Sequence, residues 1–200
     1  MSREALADAL YPQAEQDAAM NALKVNLHRV RRLIGFHNVI TCDSGRYAIG
    51  WCVDVDLSHI EGAVRAARRN GVSSGETSRM LVQIHRRLAP GRPACASGWT
   101  WFEETERRIN QLGYEVTLLL ARHALSERRF EDVFSLTSVL LRGDPMDELA
   151  VELAIRASVQ SGDRIGAISQ FRNFEAALRN ELRERPPDAL RRLLDQPAAS

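Results

Sequence analysis

The spacing of apolar residues along the chain changes twice, and each change marks a different kind of element. From Arg3 to Leu10 they recur at helical spacing behind Ser2, which can cap a helix, with Glu4 in its positive first turn. Pro12 disfavours helical geometry at Tyr11 and ends that segment. A second helix is predicted from about Glu15 to Ile34, closed by Gly35. The pattern then turns β-branched and aromatic over Val39–Cys42 and Arg46–Ile49, with Asp43-Ser44-Gly45 between them as a turn, which predicts a β-hairpin. From Leu57 onward the spacing is helical again. Helices are expected over Ser58–Asn70, Glu76–Leu88, Trp101–Leu125, Phe130–Leu141, Met146–Ser161, Arg164–Leu182 and Pro187–Leu194. Gly-, Ser- and Pro-rich breaks separate the first three of these.

The fold expected is mainly α. A helix-turn-helix with a β-hairpin occupies 1–56, an all-α repeat domain 57–195, and a loose tail 196–200. The domain border falls at "VDVDLS", where Ser58 can cap the next helix. A faint internal repeat runs through the second part. "RRFEDV" and "DRIGAI" lie thirty-five residues apart. In that register Val116 falls on Val151, Leu120 on Ile155, Phe130 on Ile165 and Val133 on Ile168. Paired helices at a period near 34 point to a tetratricopeptide-like solenoid.

The second helix carries the main chemical signal. With Leu23 at zero and about 100° per residue, Leu27, Val30 and Ile34 fall within roughly 40° of it, one buried stripe. Asn21, Val25, His28, Arg29 and Arg32 fall opposite, Lys24 and Arg31 on one flank and Asn26 on the other. Arg29 and Arg32 can serve phosphates or guanine, and Asn21 and His28 can pair with base edges in a major groove. Arg46 at the hairpin tip can reach a minor groove or a phosphate. The candidate DNA-binding set is therefore Asn21, Lys24, Val25, His28, Arg29, Arg32 and Arg46. A solvated charged face is the plain reading of the same residues.

Charge confines that signal to one helix. The net charge is +1. Residues 1–50 hold six basic and five acidic side chains, while 51–200 hold twenty-one of each. Any contact with a polyanion must come from a local patch. Cys42, Cys52 and Cys95 form no CxxC pair, which argues for small buried thiols in a reducing compartment. The start of the chain has no signal-peptide core, and no apolar run approaches a bilayer's thickness, so the expectation is a cytoplasmic protein away from membranes. The five histidines stand in no metal-ligand frame, and neither a phosphate-cradling glycine loop nor a nucleophile motif is present. No metal, no cofactor and no enzyme activity are expected. Asp54 and Asp56 alternate as at a solvated domain junction. Trp99, Trp101 and Phe102 either lock the first helices onto the solenoid or form an aromatic partner surface.

The stretch "SREALADALYPQAEQDAAMNALKVNLHRVRRLIG", together with "VITCDSGRYAIG" just after it, resembles an OmpR-type winged helix. The matching residues are Leu10-Tyr11-Pro12, Leu23 to Arg31, and Gly45 to Ile49, with Gly45-Arg46-Tyr47 in place of that family's second wing glycine. The remainder, best matched over "GWTWFEETERRINQL", "RRFEDVFSLTSVLLRGDPMDELAVELAIRASVQSGDRIGAISQFRNFEAALRNEL" and "RPPDALRRLL", is similar to the bacterial transcriptional activator domain. The two in this order are those of antibiotic-regulatory activators of actinomycetes. The resemblance implies a transcriptional activator that binds repeated half-sites on double-stranded DNA as a dimer or side-by-side pair and contacts RNA polymerase. It also implies a small sheet and a further helix ahead of Ser2. Without them, the inner faces of Leu6, Leu10, Leu23 and Leu27 are expected to be exposed. A reading from another class is a protein-interaction scaffold in which the repeats do the work. Sequence with a strand–strand–helix pattern before Ser2 in the native product would favour DNA binding, and a native start at Met1 the scaffold.

Overall fold

The computed structural model describes residues 1–50, 56–72, 75–88 and 100–195, and of His37, Thr100 and Trp101 the backbone only. The protein is mainly helical, with a small two-stranded antiparallel hairpin that precedes a helical domain. It divides into two compact units, Met1–His59 with Arg92–Arg108, and Ile60–Gly91 with Ile109–Ser200.

The first unit begins with α1, Arg3–Leu10, and α2, Gln16–Ile34. The Ser2 hydroxyl accepts from the Ala5 N–H at 3.1 Å, as the sequence predicts, and Gly35 closes α2 at φ +77°. A 3₁₀ turn over His37–Val39, which the sequence pattern does not predict, leads into β1, Ile40–Asp43, which pairs with β2, Arg46–Ile49. The expected three-residue turn is a two-residue one. Ser44 and Gly45 both have positive φ, the twist a tight hairpin requires, so Asp43 joins the ladder opposite Arg46 and the strand begins one residue late. A third short segment lies against β2, where Tyr47 N–H donates to the Met1 carbonyl at 2.8 Å and Arg3 N–H to the Gly45 carbonyl at 3.1 Å.

Ala7, Ala19, Leu23 and Leu27 are buried in this unit, packed by Leu6, Tyr11, Met20, Ile40 and Tyr47. Leu23 and Leu27 are therefore covered, against expectation, because Ile40 and Tyr47 of the hairpin close over them; Leu6 is half-buried and Leu10 is 39% exposed. The apolar stripe of α2 stops early. Val30 is half-buried and Ile34 is 49% exposed. Eight residues of α1 span about 12 Å against about 28 Å for the nineteen of α2, so the shorter helix cannot cover the last turn.

The second unit holds most of α3, Asp56–Asn70, then α4, Gly75–Leu88, the later part of α5, Thr100–Ser126, and α6, Phe130–Gly143. It ends with α7, Glu148–Gln160, α8, Arg164–Glu181, and α9, Asp188–Leu194. Ser58 lies inside the first turn of α3 and is not its cap. Leu118, Ala121 and Ala124 pack with Val133, Leu153 and Ala157 in a core shared by α5, α6 and α7. A second core joins α7, α8 and α9 through Val151, Ile155, Phe171, Phe174, Leu178 and Leu190. Buried hydroxyls in these cores bond to their own helices, Thr117 to the Gly113 carbonyl at 2.7 Å and Thr137 to the Val133 carbonyl at 2.8 Å.

The helix pairs repeat at thirty-four residues, the expected period near 34 and one fewer than the spacing of the two motifs that suggest it. Val116 and Ala150, Thr117 and Val151, Leu120 and Ala154, Ala121 and Ile155, Val133 and Ala167, and Thr137 and Phe171 are all buried. Arg128 and Gly162, also thirty-four apart, carry the positive φ of the two turns, 55° and 84°. The thirty-five-residue register fails at Ile165, which is 83% exposed, where Phe130 is half-buried. Among the described residues no helix is long and apolar enough to cross a membrane. Cys52, Cys95, Asp54, Trp99, the tail and the Trp101 side chain lie outside the described residues.

Candidate nucleic-acid interface

Burial of Ala19, Leu23 and Leu27 turns the opposite side of α2 to solvent. Asn21, Lys24, Val25, His28, Arg29 and Arg32 lie on the solvent side, with Arg46 exposed at the start of β2. The outward residues from Asn21 to Arg32 cover about 16 Å of helix at 1.5 Å per residue. Among the described residues Lys24, Arg29, Arg32 and Arg46 enter no ion pair. Asp17 is the last acid before Asp43, so α2 itself contributes no carboxylate among the cations and the amide and imidazole donors from Asn21 to Arg32. Asp43 stands opposite Arg46 in the ladder, yet the two side chains make no ion pair.

Two contacts fix the helix in its unit. The Asn26 side-chain amide donates to the Tyr11 hydroxyl at 2.6 Å, which ties α2 to the break after α1. Arg31 donates from Nε at 3.2 Å and from a terminal nitrogen at 2.6 Å to the Ile40 carbonyl, which pins the root of β1 to the helix. The helical wheel alone puts Arg31 on the outer flank with Lys24. It lies four residues after Leu27 and three before Ile34, on the edge of the apolar stripe, and that spacing is the signal available in the sequence.

The base of the hairpin has its own contact. The Arg3 guanidinium sits 5.8 Å from the centre of the Tyr47 ring. A hydrogen bond with Cys42, then Tyr47, pushes this group above its ordinary value, although its Nε is buried without a hydrogen-bond partner. Cys42 is exposed, which corrects the expectation of a buried thiol: it lies on a two-stranded hairpin with little over it. His28 is exposed, His59 is exposed, and His85 and His123 sit on helices of the second unit. Among the described residues no group of three or more His, Cys, Asp or Glu side chains could hold a metal ion.

An exposed helix face with this set of groups can meet phosphates through Arg29 and Arg32 and base edges through Asn21 and His28. The segment that carries it precedes the part of the chain with a known relative. No curated protein matches the chain. Residues 55–196, which take in α3 to α9, match the family model described as the bacterial transcriptional activator domain. That match spans more than two thirds of the sequence, and the chain belongs to the bacterial transcriptional activator domain family.

Proposed function

We propose that the chain is a DNA-binding transcriptional regulator acting as an activator. The N-terminal part, to about residue 56, is read as a partial winged helix. In this reading α2 lies in a major groove through Asn21, Lys24, Val25, His28, Arg29 and Arg32, and Arg46 meets the adjacent backbone. The helical-repeat part, from about residue 57 to 195, is the effector module that meets RNA polymerase, and two chains bind repeated half-sites side by side in the cytoplasm. Family membership supports the regulatory role. The observation that carries DNA binding is the cationic face of α2, which enters no ion pair among the described residues and is held beside a hairpin by Arg31.

The test is a salt titration of binding to random duplex DNA. Arg29→Ala, Arg32→Ala and Arg46→Ala should each weaken binding and reduce the salt slope by about one. Unchanged affinity and slope in variants with wild-type circular dichroism would remove the proposal. A second reading, a protein-interaction scaffold, has its own support. Leu33, Phe36 and Ile49 of the same unit are 86%, 68% and 63% exposed. Absence of any DNA binding at low salt by the folded chain would favour it.

A further inference from the structure

A cavity of about 750 Å³ opens in the second unit between α4, α5, α6 and the α6–α7 turn. This is within the size range of small-molecule sites. Its walls are apolar, from Leu88, Val139, Leu140 and the Tyr114 ring, and Gly113 leaves its floor without a side chain. Its polar lining comprises His85, Asn110 and Thr117, with two acids at the α6–α7 turn. Asp144 and Asp147 supply carboxylates, and the Tyr114 hydroxyl donates to Asp147 Oδ1 at 3.2 Å.

Among the described residues that line the cavity the fixed charges are the two carboxylates; there is no lysine or arginine, and His85 is the one imidazole. Arg122 acts on Tyr114 from outside that lining. The last turns of two helices reach it, α4 through His85 and Leu88 and α6 through Leu140 and Gly143. Helix C-termini are the negative ends of their dipoles and carry carbonyls without helical partners. The positive end of α7 is already met by Asp147, whose Oδ1 accepts from the Ala150 N–H at 3.1 Å. Burial and the neighbouring Asp147 push Tyr114 up to about 12, the direction a negative surrounding gives.

We propose that this cavity binds a small organic cation, an amine-bearing molecule with an apolar body. The ammonium sits at Asp144 and Asp147, where it replaces water on two carboxylates. The body lies against Leu88, Val139 and the Tyr114 ring. An anion would meet two carboxylates and two helix C-termini, and a neutral apolar molecule would leave the carboxylate end unmatched. The site is separate from the α2 face, so it stands whether or not the chain binds DNA.

The experiment uses the full ¹⁵N-labelled chain and 2-phenylethylammonium chloride as the probe. Saturable shifts are expected at the Gly113 and Gly143 amides. The isosteric 2-phenylethanol and the anionic analogue 3-phenylpropanoate should bind at least about tenfold more weakly, the scale of one charge-assisted contact. Asp144→Asn removes charge at an exposed position and should weaken the ammonium by about two- to fivefold. Val139→Trp fills the cavity from a half-exposed wall position and should abolish the shifts with circular dichroism unchanged. Equal binding of the carboxylate or the alcohol, undiminished binding in Asp144→Asn, or no saturable shift in the wild-type chain would overturn the proposal.

Discussion

Arg31→Ala should loosen the hairpin while leaving the outer face of α2 intact. The guanidinium donates twice to one oxygen, the Ile40 carbonyl, at 3.2 and 2.6 Å, in a partly buried setting. A hydrogen bond from a charged donor contributes about 1.5–3 kcal/mol, and two donors sharing one acceptor do not double it. The expected loss is therefore about 2 kcal/mol, near thirtyfold in a local opening equilibrium, since each 1.36 kcal/mol is about tenfold. Native-state amide hydrogen exchange of the full chain is the suitable assay, because two compact units make a single global unfolding energy ill-defined. Protection in β1 and β2 should fall by about that factor, most near Ile40, with little change in α7 and α8. Arg29→Ala, which breaks no hydrogen bond or ion pair among the described residues, is the control and should leave protection unchanged within about 0.5 kcal/mol. Equal protection in Arg31→Ala and wild type, or an equal loss in Arg29→Ala, would refute the assignment of Arg31 as the clamp.

The geometry sets three further outcomes. Leu27→Ala empties a position 8% exposed in the first unit and should cost about 2–5 kcal/mol, read as lost protection in α2, without changing the salt slope of DNA binding. Tyr114, pushed up to about 12, is neutral in the fold, so its contribution is complete below its ordinary value near 10 and is lost as pH rises through about 12; alkaline melting should be less steep in Tyr114→Phe. A Cβ on Gly166 would lie 2.1 Å from an Asp163 carboxylate oxygen, the group that caps α8 through the Gly166 N–H. Gly166→Ala should thus be near neutral in wild type, the helix gain of about 1 kcal/mol offset by a cap of similar worth, and stabilising in Asp163→Ala, as a double-mutant cycle read by amide hydrogen exchange in α8 would show.

The elements are legible in the sequence because their punctuation is local. Ser2, Pro12 and Gly35 act within one turn of the residues they end or begin, and all three act as expected. The hairpin is also readable, but not its loop length, since that depends on Ser44 accepting a positive φ that sequence alone does not announce. The candidate face is readable as a face, because its residues lie opposite the buried Leu23 and Leu27. Periodicity also separates two neighbouring cations; what it does not supply is the Ile40 carbonyl that Arg31 meets. Arg31 and Arg32 differ by about 100° around the helix, and that angle decides between a backbone carbonyl and open solvent.

The repeat shows where pattern matching by residue type misleads. Aligning "RRFEDV" with "DRIGAI" matches an aromatic with a β-branched residue, Phe130 with Ile165, and so selects a period of thirty-five. The turns decide otherwise. Arg128 and Gly162 hold the same left-handed conformation, and one of them is not a glycine, so composition hides their equivalence. With those two positions aligned, the small residues Ala150, Ala154 and Ala167 fall on Val116, Leu120 and Val133. A helix pair packs by volume shared between neighbours, so a large residue in one repeat can answer a small one in the next. Gly113, whose added Cβ would lie 4.0 Å from the Leu88 Cβ, lines the cavity that the α6–α7 turn rims with Asp144 and Asp147.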